Sequence, residues 1–339
     1  MNPRVSVIVP IYNVERYVGE CLKSLVDQTY ADFEAICVDN RSTDGSLAVA
    51  KETVAGDERF IFIEVKELGL SYARNAALDI ARGDYLLNLD SDDFYRADTI
   101  ERLVKKADDE QLDLLFFSAK TFYESDELAR TNPERQDNRP DVPGVLPGPD
   151  MYVEFERSGA FRPSACMYMM RRDLVERCGL RFEEGIIHED LPFTMMLIPM
   201  AQRTAFLNET FYQRRMRYGS TMTARRGVNN IKGHLVGSML MEQWIDCHAS
   251  EFTAEFCDAF CGRIHRTWEL IADDVAKVGP DEVASFRNTL SRKQRIAFDL
   301  HGIELQRSLA EILDSTTYKV GHALLAVPTA LKDRLARNS

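Results

Sequence analysis

The sequence predicts an α/β protein whose mainly parallel sheet is flanked by helices and followed by a helical C-terminal region. Through the first 120 residues, short apolar runs of strand length alternate with amphipathic stretches of helix length. Alternation of this kind forms βαβ units, and the strands of such units run parallel. From about residue 228 the periodicity is helical, for example in "GHLVGSMLMEQWI".

Local patterns place each element in turn. The first strand is an apolar run closed by Pro10, which has no amide proton to donate to a neighbouring strand. The first helix is indicated by apolar residues that recur three and four apart, and the second has Ser42 or Asp44 as its N-cap. The predicted strands are residues 5–9, 33–39, 60–65, 84–89 and 113–118, and the predicted helices include residues 18–26, 71–82 and 98–109.

Composition and charge argue against several classes of protein. The 339 residues carry a formal net charge of −12, which disfavours nucleic acid as the main partner because phosphate binding needs a basic field. The seven cysteines are scattered and odd in number, as expected for free thiols in a reducing cytosol. No apolar stretch reaches the roughly 18 residues of a membrane-spanning helix. We therefore expect a cytoplasmic protein, either soluble or peripheral on the inner face of the cell membrane.

Polar residues follow three of the predicted strands. Tyr12 follows the first strand, Asp39 ends the second, and "DSDD" at 90–93 follows the fourth. In open parallel sheets, ligands bind beyond the carboxyl ends of the strands. The three groups are therefore expected at one edge of the sheet, where a ligand would lie.

The "DSDD" stretch places three carboxylates within four residues, and like charges that close together need an offsetting partner. The Asp-x-Asp spacing directs Asp90 and Asp92 to one side of an extended turn. A hard divalent cation, Mn²⁺ or Mg²⁺, would neutralise them there. The alternatives are a solvated acidic turn or N-caps for the helix near Asp98. The residues alone leave these alternatives open.

Five fragments occur in a characteristic order along the chain: "VSVIVPIYNVERYVGECLKSLVDQTY", "VDNRSTDGS", "GLSYARNAAL", "NLDSDD" and "HEDLPF". In these residues the chain resembles the inverting glycosyltransferases of family 2, which have the GT-A fold, and in particular members that build bacterial surface polysaccharides. The fragments extend over about the first two-thirds of the chain. The resemblance implies transfer of a sugar from a nucleotide diphosphate to an acceptor hydroxyl.

The resemblance also implies a donor site. Asp92 corresponds to the direct metal ligand of the family, and Asp90, the second residue of the metal site, contacts the ribose or a metal-bound water. Asp39 corresponds to the acid that accepts a hydrogen bond from uracil, and Pro10 and Tyr12 frame the base.

Arg74, in "GLSYARNAAL", is expected at the start of a helix, where its guanidinium would pair with a phosphate. An ion pair with the acidic cluster is the alternative. Six arginines between 203 and 226 stand against a single acid, Glu209. This excess indicates either a bound anion, from the donor or a phosphorylated acceptor, or a solvated basic face. The six are Arg203, Arg214, Arg215, Arg217, Arg225 and Arg226.

The "HEDLPF" fragment supplies the expected catalytic base. An inverting transfer needs a base beside the acceptor hydroxyl, and the family places an aspartate that corresponds to Asp190. The local sequence also suits a helix cap, with Pro192 in the first turn. Only the resemblance favours Asp190 over Glu189.

The predicted domains are a GT-A glycosyltransferase domain at residues 1–226 and a helical C-terminal region at 227–339. The first contains a nucleotide-binding half (1–120), a polar, proline-rich mobile loop (123–150) and an acceptor half (151–226). Apolar and basic residues at 318–337 predict an amphipathic helix on an anionic membrane surface, with packing on the protein's own core as the alternative.

The expected function is metal-dependent transfer of a hexose or N-acetylhexosamine from a UDP-sugar to a glycan or lipid-linked glycan. The helical C-terminal third could in addition pair two chains into a homo-oligomer. Two other functions compete with transfer: a non-catalytic nucleotide-sugar-binding or scaffold protein, and a sugar nucleotidylyltransferase. The latter enzymes usually carry a glycine-rich, basic loop after the first strand, where this chain has "PIYNVERY".

Overall fold

The computed structural model describes residues 2–131, 139–220, 223–224 and 226–303, and for 301–303 the backbone only. Its strands belong to one mixed sheet. They are β1 (Val5–Ile11), β2 (Phe33–Asp39), β3 (Phe60–Glu64), β4 (Tyr85–Asn88), β5 (Phe94–Tyr95), β6 (Leu114–Tyr123), β7 (Val145–Leu146), β8 (Tyr168–Arg171) and β9 (Thr204–Met216).

The sheet order is β3-β2-β1-β4-β8-β6-β9-β5, with β7 paired to β9. The pairs β3–β2, β2–β1 and β1–β4 are parallel, and β6 is parallel to β9. Strand β8 runs antiparallel to both of its neighbours. The predicted α/β class with a mainly parallel sheet is confirmed.

Helices cover the sheet and then continue beyond it. They are α1 (Val18–Val26), α2 (Ser46–Thr53), α3 (Leu70–Ile80), α4 (Thr99–Asp109), α5 (Asp126–Thr131), α6 (Gly148–Ser158), α7 (Arg172–Cys178), α8 (Asp190–Leu197), α9 (Val228–His248), α10 (Ala254–Lys277), α11 (Pro280–Thr289) and α12 (Arg292–Ala297).

The central strands are buried on both faces. Every residue of β1 and of β2 is buried, as expected for parallel strands with helices on each side. Helix α1 turns Val18, Cys21 and Leu22 inward, and these side chains join the same core as the strands. This rigid layer fixes the positions at which β1, β2 and β4 end.

The described residues divide into two compact units. The first contains residues 2–185 and 193–224, and the second contains residues 186–192 with the helices from α9 onward. The segment 186–192 includes "HED", which the sequence-based division assigned to the first domain. In the structure it packs instead against α9, because Gly233 and Gly237 present no bulky side chain to it.

The segment 123–150 is more regular than the expected mobile loop. Its described parts contain α5 and β7, and Leu128, Arg139 and Val142 are buried. Burial of one or two side chains at each end anchors these parts to the first unit. The amphipathic helix predicted at 318–337 lies outside the described residues. Among the residues that are described, no helix has both the length and the apolar character needed to cross a membrane.

Candidate functional site

Three neighbouring parallel strands end together at one edge of the sheet. Ile11, the last residue of β1, pairs with Asp39, the last residue of β2. Beyond β4, the Leu89 amide donates to the Ile8 carbonyl (2.9 Å), so the chain stays beside β1 up to the acidic cluster. The sequence-based expectation that these groups share an edge is met by this register.

The loop after β1 leaves one aromatic ring in solvent. Pro10 is buried within β1, whereas Tyr12 is 45% exposed. Asn13 follows in the left-handed region (φ 50°), and its side-chain oxygen accepts a hydrogen bond from the Thr43 amide (2.8 Å). The loops after β1 and β2 are therefore fixed to one another, which leaves the Tyr12 ring presented beside the end of β2.

Asp39 is buried at the end of β2, where its Oδ1 accepts from the Ser42 amide at 3.4 Å. The neighbouring Asn40 has a structural role. Its amide donates to the Glu67 carbonyl (2.7 Å) and its oxygen accepts from the Gly69 amide (2.7 Å). Asn40 thus holds the turn before α3, while among the described residues the carboxylate of Asp39 has this one long hydrogen bond.

The acidic cluster is offset by basic and hydroxyl groups. Arg74 Nη2 lies 2.9 Å from Asp90 Oδ1, and Arg217 Nε lies 2.8 Å from Asp92 Oδ2. Arg74 is buried, so its guanidinium carries a positive charge directly to the edge of the sheet. The ion pair left open as an alternative role for Arg74 is present in the structure.

Asp93 belongs to the core rather than to the ligand-facing side. Its Oδ2 accepts from the Tyr212 hydroxyl (2.6 Å) and its Oδ1 from the Arg215 amide (2.6 Å). Burial, together with the negative charges of Asp92 and Asp90, raises the pKa of Asp93 well above its usual value. Burial and the charge of Asp90 also raise the pKa of Asp92, although Arg217 opposes this. Arg74 and Arg217 thus face Asp90 and Asp92, while the raised pKa of Asp93 favours its protonated form.

Asp190 is the first residue of α8 and belongs to the second unit. His188, two residues before Asp190, has a left-handed backbone (φ 63°), and the Leu191 amide donates a hydrogen bond to its carbonyl (3.2 Å). Burial lowers the pKa of His188. The predicted site residues are thus divided: Pro10, Tyr12, Asp39, Arg74, Asp90 and Asp92 lie in the first unit, and Asp190 in the second.

Comparison with known proteins identifies the family. Residues 6–179, just over half of the chain, match the model of "Glycosyl transferase family 2". The chain belongs to glycosyltransferase family 2. This membership confirms the predicted family and supports the predicted class of enzyme.

Curated relatives within glycosyltransferase family 2 include two bacterial proteins. The chain is 36% identical over 217 residues to the uncharacterized glycosyltransferase EpsJ of Bacillus subtilis, covering 62% of this chain and 61% of that one. It is 32% identical over 221 residues to the glycosyltransferase GlyA of Streptococcus pneumoniae, covering 65% and 32%. The chain thus matches less than two-thirds of the length of these relatives.

Solved structures of similar fold include enzymes with bound nucleotide sugars. Residues 1–349 of S. aureus TarS, in complex with UDP-GlcNAc, align with a TM-score of 0.59 at 19% identity, over 96% of this chain and 91% of that one. The mannosyltransferase PcManGT from Pyrobaculum calidifontis, in complex with GDP-Man and Mn²⁺, aligns with a TM-score of 0.52 at 18% identity, over 96% and 85%. These similarities establish the shared fold.

The carboxylates of this family 2 chain suit a divalent cation that arrives with its ligand. The side chains of Asp90 and Asp92 remain 38% and 18% exposed, and carboxylate oxygen is the ligand that Mg²⁺ and Mn²⁺ prefer. Within the described ranges, no group of three or more His, Cys, Asp or Glu side chains is arranged to hold a metal. Asp90 and Asp92 are the carboxylates of this edge that could supply oxygen ligands to such a cation.

Sequence reasoning did not assign Tyr212, Arg215 and Arg217 to the acidic cluster. All three lie on or just after β9, more than 115 positions from the aspartates. The excess of arginine between 203 and 226 was the available signal. At least for Arg217, the anion that this excess indicated is a carboxylate of the protein itself, that of Asp92.

Proposed function

We propose that this protein is an inverting, metal-dependent glycosyltransferase that uses a UDP-sugar. It moves a hexose or N-acetylhexosamine to a hydroxyl of a glycan or a lipid-linked glycan. The observation that carries the proposal is the common edge at which β1, β2 and β4 end. At that edge an exposed aromatic ring, a buried carboxylate and a cluster of three aspartates follow one another.

Each group has a role that suits its chemistry. Tyr12, with the backbone at Pro10, offers an apolar surface for a base, and Asp39 accepts a hydrogen bond from the uracil ring. A mismatched base would leave the buried Asp39 carboxylate without that bond, at a cost of about 1–3 kcal/mol. Recognition of the base would therefore depend on Asp39.

Asp92 and Asp90 would hold Mn²⁺ or Mg²⁺. A divalent cation held there would supply positive charge to offset that of the diphosphate leaving group. Arg74, which is held against Asp90, fixes the carboxylate in place and adds positive charge near the phosphates. The buried side chains of Asp93 and Tyr212 exclude water from the inner side of the donor site.

We assign the role of general base to Asp190. Its carboxylate would take the proton from the acceptor hydroxyl as that oxygen attacks the anomeric carbon, on the face opposite the departing UDP. One bond forms between oxygen and carbon while the bond to the diphosphate breaks, which inverts the configuration.

We further propose that the acceptor is part of a bacterial surface polysaccharide. Relatives named as a poly(ribitol-phosphate) beta-glucosyltransferase and a chondroitin synthase support this class of acceptor. Peripheral attachment to the inner face of the membrane, through the basic and apolar segment 318–337, belongs to the same proposal.

Calorimetric titration of UDP, with and without Mn²⁺, tests the donor site directly. We expect binding that strengthens at least tenfold with Mn²⁺. UDP-glucose, UDP-galactose and their N-acetylated counterparts would then be screened for turnover. Asp190→Asn should keep UDP and Mn²⁺ affinity within about twofold while transfer falls at least a hundredfold. Absence of UDP binding would overturn the donor assignment, and normal turnover of Asp190→Asn would overturn the assigned base.

A further inference from the structure

The turn that leads into Asp190 has a strained backbone. His188 adopts φ 63°, in the left-handed region that non-glycine residues seldom occupy. Such a conformation costs on the order of 1 kcal/mol and persists only where its surroundings enforce it. The surroundings that enforce it lie within the second unit.

The His188 ring is held on one face and at one edge. It stacks on the ring of His234, with centroids 4.5 Å apart and planes only 6° from parallel. Its Nε2 lies 3.1 Å from the side-chain amide of Asn230. Both partners belong to α9, so a single helix fixes the orientation of this side chain.

Helix α9 also approaches the backbone of the turn. A Cβ at Gly233 would lie 2.1 Å from the carbonyl oxygen of Ile187, so only glycine permits this contact. One helical turn later, a Cβ at Gly237 would lie 3.6 Å from the Pro192 ring. Gly233, His234 and Gly237 therefore form one packing surface on α9, the platform, which contacts residues at both ends of the "HED" segment.

His234 contributes its flat ring to this platform rather than a hydrogen bond. It is buried, and its Nδ1 lies 3.5 Å from the fully buried carboxylate of Asp274 without forming a hydrogen bond. Asp274 instead accepts from Arg226 Nη1 at 3.0 Å. A buried polar atom without a partner is unfavourable, so the contribution of this ring to the fold is its packing against His188.

We propose that the stacked pair of His188 and His234, supported by the glycines of α9, fixes the turn that presents Asp190. His234 is then a positioning residue for the catalytic base. This inference rests on the proposed function, since it takes Asp190 as the base. It assigns to the C-terminal helices a direct part in the transfer step, through α9.

Hydrogen exchange measured by mass spectrometry on the full chain tests the positioning itself, without any substrate. In His234→Ala, amide exchange across 186–191 should accelerate at least tenfold because the turn loses its support. In His234→Phe, which keeps a flat ring, exchange should stay within about twofold of wild type. His265→Ala is the matched control, since His265 is 61% exposed on α10 and pairs only with Glu269 in the same helix.

Turnover gives the second readout, with whichever UDP-sugar the wild-type protein consumes. A displacement of about 1 Å at a catalytic group costs up to a hundredfold in rate. His234→Ala should therefore lose tenfold to a hundredfold in kcat, while the donor KM and the UDP Kd change less than twofold. His234→Phe should recover most of the lost kcat. A role in stability alone would lower the thermal midpoint and spare kcat of the folded fraction.

His188→Asn provides a second test if His234→Ala fails to fold. Asparagine tolerates the left-handed backbone but removes the stack, so it should reproduce both effects. Unchanged exchange across 186–191 in the ring-deleted variants would overturn the inference, and so would unchanged kcat.

Failure of the proposed function has a different signature: the wild type would consume no UDP-sugar, whereas the exchange result would still decide whether the pair holds the turn.

Discussion

Arg217 forms an ion pair with Asp92, the carboxylate that would bind the metal under the proposed function. Its Nε donates to Asp92 Oδ2 at 2.8 Å, its guanidinium covers the Tyr17 ring at 4.8 Å, and both members of the ion pair are mostly buried. The positive charge of Arg217 therefore competes with a cation at Asp92. Under the proposed function, the same guanidinium could instead pair with the diphosphate of a bound donor.

Replacing Arg217 with methionine should change metal and nucleotide affinity in opposite directions. Mn²⁺ alone should bind threefold to tenfold more tightly, since a competing ion pair of this kind contributes about 1 kcal/mol. UDP in the presence of Mn²⁺ should bind more weakly, because a phosphate partner is lost. Manganese electron paramagnetic resonance and calorimetry measure the two affinities.

Arg157→Met is the control for the loss of one positive charge. Arg157 is 57% exposed on α6 and pairs with Glu154 three residues away. Its removal should leave both affinities unchanged. If Mn²⁺ bound equally well to the wild type and to Arg217→Met, the proposed competition at Asp92 would be wrong.

At the scale of the element, β9 connects the acidic cluster to β6 and β5 of the sheet. Tyr212 donates to Asp93 and accepts from the Asp90 amide (3.3 Å), and Arg215 donates its Nε to the Asp92 carbonyl (2.9 Å). One strand thereby contacts each aspartate of the cluster. The position of the cluster depends on β9 as much as on β4.

Tyr212→Phe removes one hydroxyl from this connection. Asp93 keeps only the Arg215 amide as partner, so the free energy of unfolding should fall by about 1–3 kcal/mol. Manganese-dependent UDP affinity should fall with it, because the Asp90 amide also loses its acceptor. Urea denaturation and calorimetry measure the two quantities.

The matched control is Tyr218→Phe, which deletes the same atom from a ring that is 55% exposed and bonded to Glu127. Its effect on stability should stay within about 0.5 kcal/mol. If both variants lost the same free energy of unfolding, the buried hydroxyl of Tyr212 would contribute no more to stability than the exposed hydroxyl of Tyr218.

The parallel strands could be predicted from sequence because their signal is local. Strands β1 to β4 are short apolar runs, and the edge at which they end follows from parallel pairing alone. The arginines of β9 were visible as a charge excess, but their partners were not, because pairing across more than 120 positions is decided by tertiary packing. The stack of His188 on His234 was equally hidden, since nothing local marks either ring. Asp190 was singled out by resemblance rather than by chemistry.

At the scale of the whole molecule, the net charge of −12 includes several groups that folding removes from water. Asp93 is a buried acid and Glu242 a partly buried one, and burial raises the pKa of Glu242 to about 7. His234 is a buried base, and burial lowers its pKa to about 3. These groups make stability depend on pH in opposite directions. A buried acid with a raised pKa favours folding at low pH, whereas a buried imidazole favours it at higher pH.

The contribution of His234 can be isolated by comparison with His234→Phe. Unfolded, its imidazole takes up a proton below about pH 6.5, whereas in the folded protein it stays neutral down to about pH 3. Stability from this residue is therefore complete above pH 6.5 and is lost as the pH falls from there towards 3. The wild type should lose about 1 kcal/mol more than His234→Phe between pH 7.5 and 5.5.

The groups that face this ring do not reverse that direction. Arg226 repels an imidazolium, as does the neighbouring His188 when it is charged, and both lower the pKa of His234 further. The buried carboxylate of Asp274 lies 3.5 Å away, but it is already paired with Arg226. Thermal midpoints of the two proteins at matched ionic strength give the comparison, in which Asp93 and Glu242 cancel because both proteins contain them. Midpoints that ran parallel from pH 7.5 to 5.5 would mean that the imidazole of His234 titrates alike in the folded and the unfolded protein, which would contradict the lowered pKa. A wild type that gained stability relative to His234→Phe as the pH fell would mean that the ring is protonated in the fold and held by the charge of Asp274.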